Sequence, residues 1–200
     1  MKHATRIMEI TQAYRLWQAP FAGKKFAPVL AHNDLRQARR VLDVGCGPGT
    51  NTSRFSDTYY LGIDHNLRYL QHARRQYRRD FLVADITRLV LAPEARFDFI
   101  LINSFLHHVD TASARGLLSQ LSALLTEDGH VHILDLVLPA QPSVARLLAR
   151  LDRGDFPRPL GEWERIFNET FETDVFEPYA LTDWGATLWE MVYFKGRRKR

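Results

Sequence analysis

At 200 residues, 46% hydrophobic and 25% charged, the chain has the size of one domain and the composition of an ordinary globular protein. Its single cysteine, Cys46, permits no internal disulfide and offers no metal-site spacing; a reducing cytoplasm and no bound metal are expected. The start of the chain lacks an apolar leader core, and no apolar run approaches the ~18 residues of a membrane span. The net charge of +4 is concentrated in 195-KGRRKR-200, without which 22 basic residues face 23 acidic ones. That basic stretch reads as a solvated tail, and a nucleic-acid partner is disfavoured.

In chain order, residues 4–38 read as a helical arm with Ile7, Ile10, Ala13, Tyr14 and Trp17 at helix spacing, broken by Pro20 and Gly23. An alternation follows: strand 40–45, helix 49–56, strand 59–64, helix 66–78, strand 81–85, strand 97–103, helix 111–125 and strand 130–138. Strands alternating with helices predict parallel βαβ units with helices on both faces of a sheet. The runs 41-VLDV-44 and 99-FILI-102 are apolar at consecutive positions, as strands covered on both faces should be. Beyond Pro139 and Pro142 come helix 143–151, a Gly/Pro loop, helix 161–170, and strands 174–182 and 188–196 joined by a turn around Gly185. One domain, residues 1–200, is expected: arm 1–38, a half at 39–138 that carries the ligand loop, and a substrate-side half at 139–200.

The most informative segment is the exit of the first strand. It ends in Gly45, Gly47 and Gly49, whose spacing lets the backbone turn sharply and lets a ligand approach the main chain. Asp64 closes the second strand, where a doubly wound sheet holds a ribose diol. The run 45-GCGPGT-50 departs from G-x-G-x-x-G at Thr50. Asp43, two residues before the first glycine, would repel a pyrophosphate and suit an ammonium. Together 43-DVGCGPG-49 resembles motif I of the class I S-adenosylmethionine-dependent methyltransferases. The resemblance continues in the family's order through Asp64, 83-VADI-86, 97-FDFILINSFLHHV-109 and 127-EDGHVHILDLV-137.

The resemblance implies an α/β, Rossmann-like fold: a doubly wound, mostly parallel seven-stranded sheet in the order 3-2-1-4-5-7-6, strand 7 antiparallel, under an N-terminal helical cap. It implies S-adenosyl-L-methionine as cofactor. Gly45, Cys46, Gly47 and Gly49 would carry its amino-acid head and ribose, with Asp43 toward the ammonium. Asp64 and the adjacent His65 would hold the ribose, Asp85 and the Ile86 amide the adenine. Asn103 and Ser104 stand at the tip of strand four. Cys46 reads as a small residue that fits the loop rather than a reactive thiol.

Methyl transfer from a sulfonium is an in-line displacement in which the protein aligns the acceptor and, for a hydroxyl, helps remove its proton. His107 and His108 are the candidate bases, with Asp135 to orient one imidazole. The other reading is that these rings pack or cap the next helix. Tyr14 and Trp17 of the arm, and Arg153 and Arg158 flanking the Gly/Pro loop, are candidate acceptor contacts, the arginines as a clamp for a carboxylate or phosphate. Ordinary surface arginines are the alternative.

The loop 103-NSFLHH-108 lacks the Pro-Pro-aromatic signature of base-flipping enzymes, and no Pro-Cys pair is present. The expected function is methyl transfer to a small-molecule or lipid-like acceptor, chiefly at oxygen, by a cytoplasmic monomer or homodimer without a membrane span. An RNA methyltransferase and a non-catalytic S-adenosylmethionine-binding partner subunit are the alternatives.

Overall fold

The computed structural model describes residues 21–199 apart from 89, 90, 93, 153 and 184. Seven strands form: β1 (Arg40–Val44), β2 (Tyr59–Asp64), β3 (Asp80–Val83), β4 (Phe97–Asn103), β5 (Leu125–Leu136), β6 (Phe171–Asp183) and β7 (Ala186–Arg198). They make one sheet in the order β3-β2-β1-β4-β5-β7-β6. The first five run parallel, and β7 is antiparallel to both β5 and β6. Strand order reverses between β1 and β4, so the crevice outside the carboxyl ends of these strands is the place for a ligand.

Consecutive apolar residues fill both faces of the sheet because alternate side chains point to opposite sides. Leu42, Ile100, Ile102, Val131 and Ile133 face one buried layer; Val41, Phe99, Leu101 and Leu134 face the other. Against the first layer lie α3 (Thr111–Ala123) and α5 (Leu160–Thr170), through Leu117, Leu118, Trp163 and Phe167. Against the second lie α1 (Ala22–His32) and α2 (Leu67–Gln76), through Phe26, Val29, Leu70 and Ala73. Asn66 caps α2 by accepting from the Arg68 and Tyr69 amides, and Asp110 caps α3 by accepting from Ser113. A further helix, α4 (Val144–Leu151), is capped by Ser143.

Two expectations are corrected. The helix expected over 49–56 is a set of turns with a 3-10 helix at Thr52–Arg54. Gly49 sits at φ +83°, outside right-handed helix, and Asn51, Thr52 and Ser53 are weak helix formers. The sheet face left open there is covered by α1, whose Phe26 ring lies 4.3 Å from the Arg54 guanidinium. The basic stretch is solvated as expected at Arg197, Arg198 and Lys199, which are exposed, but it is not a frayed end, because β7 continues to Arg198. Lys195 pairs with His132 on one side and Val175 on the other, and Arg197 reaches Glu172 at 2.9 Å and Asp174 at 3.8 Å. The arm residues 1–20, with Tyr14 and Trp17, lie outside the described residues, as does Arg153. No described helix is long and apolar enough to cross a membrane.

Candidate functional site

The glycine loop leaves β1 with Gly45, Gly47 and Gly49 at φ +71°, +55° and +83°, the left-handed region where a Cβ is penalised. The amides of Gly45 and Cys46 donate to the Ile63 carbonyl at 2.8 and 3.0 Å, fixing the loop to the end of β2. A side chain at Gly45 would strike Phe105 at 2.8 Å, whereas one at Gly47 would meet nothing within 4 Å. The loop is therefore packed on one side and open on the other.

Asp64 closes it. One carboxylate oxygen accepts the Gly47 N–H at 2.9 Å, and the other accepts the Asn66 N–H at 2.7 Å. An ionised carboxylate offers about four acceptor positions, so both oxygens keep capacity for a ligand's hydroxyls. His65, exposed, holds Nδ1 at 3.7 Å from Asp64.

Behind the loop Asp43 is buried. Its Oδ2 accepts the Tyr60 hydroxyl at 2.6 Å, while Oδ1 is buried with no hydrogen-bond partner among the described residues. Burial pushes its pKa up to about 7, opposed chiefly by the Tyr60 hydrogen bond and helped by the nearby Asp64 charge. The same burial, with Asp43 and Asp64 close by, raises the Cys46 thiol far above its usual value, so it stays a protonated packing group. Asp85 is an exposed acid at the 3-10 turn Ile86–Arg88. It accepts the Thr87 hydroxyl and amide at 2.7 and 3.0 Å, and these bonds hold its pKa below the usual range. Ile86 itself is buried.

At the tip of β4, Ser104 has φ +57°, the one positive-φ residue besides glycine among the described residues. Its amide donates to the Leu134 carbonyl at 2.7 Å, and its hydroxyl lies 3.3 Å from the Asn103 side-chain oxygen. The next turn brings His107 against β5. Its Nδ1 is 2.6 Å from Asp135, and its Nε2 is 3.8 Å from Asp152. Asp135 is fully buried and also accepts the Leu106 amide at 2.8 Å and the Leu136 amide at 2.7 Å.

Burial alone would lower the His107 pKa, but Asp135 and then Asp152 outweigh it and raise the value to about 9. His107 is therefore an imidazolium at neutral pH, with no lone pair to take a proton. A Cβ on Gly154 would fall 2.1 Å from its ring, and its carbonyl accepts the Phe156 amide at 3.0 Å. The expected meeting of histidine and Asp135 occurs, yet it forms a buried clasp under the 154–156 loop. His108 is exposed, its ring centroid 4.2 Å from that of His107. Ligand atoms of His107, His108 and Asp152 lie within 4.8 Å of one another, but His107 would have to lose the proton that its carboxylate partners favour before this group could hold a metal ion.

Arg158 requires a correction. Instead of reaching for an acceptor it is buried at 3% exposure, and its guanidinium donates to the carbonyls of Leu106 at 3.0 Å and Val109 at 2.7 Å. It also lies over the Trp163 ring at 4.7 Å. Its role is to hold the turn that carries His107.

Sequence reasoning missed two groups. Tyr60, which tethers Asp43, sits on the strand beside it. Lys25, on α1, reaches Ser104 with Nζ–Oγ 2.9 Å. The signal for Lys25 was its helical spacing, i to i+4, from the buried Val29.

Comparison with known proteins bears on this geometry. Residues 41–129 match the family model described as a methyltransferase domain. A trans-aconitate 2-methyltransferase of Delftia acidovorans is 37% identical over 98 residues, 44% of this chain and 37% of that protein. One of the same name from Methylobacterium radiotolerans is 31% identical over 144 residues, 68% of this chain and 53% of that protein. The matches thus span about half or less of those relatives' lengths. The solved S-adenosylmethionine-dependent methyltransferase of Methanosarcina mazei superposes with TM-score 0.70 at 18% identity, covering 86% of this chain and 98% of that one.

Proposed function

We propose that this chain, a class I S-adenosylmethionine-dependent methyltransferase with that family's Rossmann-like fold, methylates a carboxylate oxygen of a small polyacid. The cofactor fits the residues present: a buried Asp43 oxygen without a partner, open space at Gly47, and spare acceptor capacity on Asp64. Asp43 would hold the ammonium, and the backbone of Gly45, Cys46, Gly47 and Gly49 would lie along the amino-acid head. Asp64 and His65 would take the ribose, and Asp85 with the Ile86 amide the adenine. Asn103 and Ser104 would border the methyl. When bound, S-adenosylmethionine supplies an electrophilic methyl, so the chain's own task is to align the acceptor oxygen in line with it.

The observation that carries the choice of acceptor is the enclosure of His107, which is 3% exposed and has its two ring nitrogens turned to carboxylates, 2.6 Å from Asp135 and 3.8 Å from Asp152. An imidazolium locked to Asp135 does not serve as a general base. A carboxylate is ionised at neutral pH and needs none. The relatives named for trans-aconitate support the same class of acceptor. Arg197 is paired with Glu172 and Asp174 at the surface, which further weakens the case for an RNA acceptor at the basic end of the chain.

The test is release of S-adenosylhomocysteine with a panel of di- and tricarboxylates, trans-aconitate included, against panels of phenols and amines. Turnover is expected with polycarboxylates alone. Turnover with phenols or amines alone would sink the acceptor class, and cofactor binding without turnover on any panel would favour a non-catalytic subunit.

Asp43 adds a pH signature. Its carboxylate must be ionised to meet an ammonium, and its pKa is about 7. Affinity for S-adenosylhomocysteine should therefore be greatest above pH 7 and fall below it, by up to about tenfold per pH unit for a single coupled proton. Calorimetry from pH 5.5 to 8 reads this. In Asp43→Asn the binding should be weaker and nearly independent of pH; an equally steep dependence in that variant would remove Asp43 from the ammonium site.

A further inference from the structure

We propose that Lys25 is an anchor for a ligand carboxylate at the tip of β4. The inference rests on the methyltransferase reading and adds to it a residue that the family's motifs do not contain. Lys25 stands in the first turns of α1, and its ammonium crosses to the Ser104 hydroxyl 79 positions away, at 2.9 Å. Ser104 is held in left-handed backbone directly after Asn103, so the contact sits at the carboxyl edge of the sheet beside the topological switch.

Two further contacts fix the lysine's place. Its carbonyl accepts the Tyr179 hydroxyl at 2.8 Å, and neighbouring Lys24 donates to the Thr182 carbonyl at 3.1 Å. These contacts tie the start of α1 to β6, and from that fixed backbone the partly buried Lys25 side chain extends to the tip of β4.

Its partners are incomplete. An ammonium has three donors, and among the described residues Lys25 uses one, on a neutral hydroxyl. Asp135 and Asp152 are close enough to pull its pKa up, but burial pushes it down more strongly. Asp135 is already committed to His107 and the Leu106 and Leu136 amides. A half-buried cation with donors to spare, at the edge where ligands bind, is chemically matched to an anion.

Two carboxylates can come to this place: that of the cofactor's amino-acid head and that of the polyacid acceptor. Lys25→Met separates them. Calorimetry with S-adenosylhomocysteine and with its decarboxylated analogue reads the first source, and the KM for a polyacid reads the second. The loss expected in one of the two is about 10- to 100-fold, the range for removing a charge-assisted hydrogen bond. If the cofactor supplies the carboxylate, the loss appears with S-adenosylhomocysteine and vanishes with the decarboxylated analogue. If the acceptor supplies it, S-adenosylhomocysteine affinity is unchanged and KM rises with kcat nearly constant. Lys25→Arg should recover part of either loss.

A Lys25→Met protein of lowered Tm whose cofactor affinity and KM both equal wild type would overturn the anchor and leave the acceptor assignment standing. Should the wild type turn over no polyacid, the calorimetric arm decides alone, and equal S-adenosylhomocysteine affinity in the two proteins overturns the anchor.

Discussion

Asp64→Ala is expected to weaken S-adenosylhomocysteine binding by at least about 10²-fold while the protein remains folded. The carboxylate joins the Gly47 and Asn66 amides and keeps acceptor positions for a ribose diol. Charge-assisted hydrogen bonds are worth about 1.5–3 kcal/mol each, so losing those to two hydroxyls accounts for the expected drop. Folding should survive because Gly47 and Asn66, whose amides lose their acceptor, are both partly exposed, so water can satisfy them. Asp64→Asn should fall between the two. Calorimetry beside a thermal melt separates the effects, and an affinity within a factor of two of wild type would exclude Asp64 from the ribose site.

Asp135→Ala should act on stability instead. It strips a buried carboxylate from the His107 imidazolium and orphans the Leu106 amide. Removing one partner of a buried ion pair costs about 3–5 kcal/mol. For a chain of this length that lowers Tm by roughly 6–20 °C at about 2–4 °C per kcal/mol. The pH dependence carries its own sign. A folded-state pKa raised to about 9 from the ordinary 6.5 means that the clasp's stabilisation is complete below about pH 6.5 and fades as pH rises through 9. Denaturant titrations of wild type at pH 6 and pH 9.5 should show that decline, and Asp135→Ala should flatten it. An unchanged slope would mean that His107 is not the titrating group.

These two aspartates show what the sequence made legible. Asp64 could be placed because a glycine loop, a strand of consecutive apolar residues and an acid at the next strand end are all local in sequence. The meeting of His107 and Asp135 followed from the adjacency of strands four and five. What their meeting does was not legible, because it depends on Asp152 and Gly154, which reach the ring from more than forty positions away. Arg158 was misjudged for a related reason. Arginine is usually exposed, and only tertiary structure supplies the carbonyls and the Trp163 face that let it be buried. Lys25 was overlooked because a lysine beside Lys24 on an amphipathic helix reads as solvated. The helix expected at 49–56 failed through short-range chemistry that periodicity alone did not weigh: Gly49 at positive φ followed by weak helix formers.

The atom that receives the methyl group decides between carboxylate methylation and every other reaction. The protein is incubated with S-adenosylmethionine carrying a trideuterated methyl and a polycarboxylate acceptor, and the product is analysed by mass spectrometry before and after mild alkali. Carboxylate methylation predicts a product three mass units heavier than the unlabelled methyl ester, whose label leaves as deuterated methanol on hydrolysis. A labelled product that survives alkali would place the methyl on nitrogen, carbon or an ether oxygen and rule out carboxylate methylation.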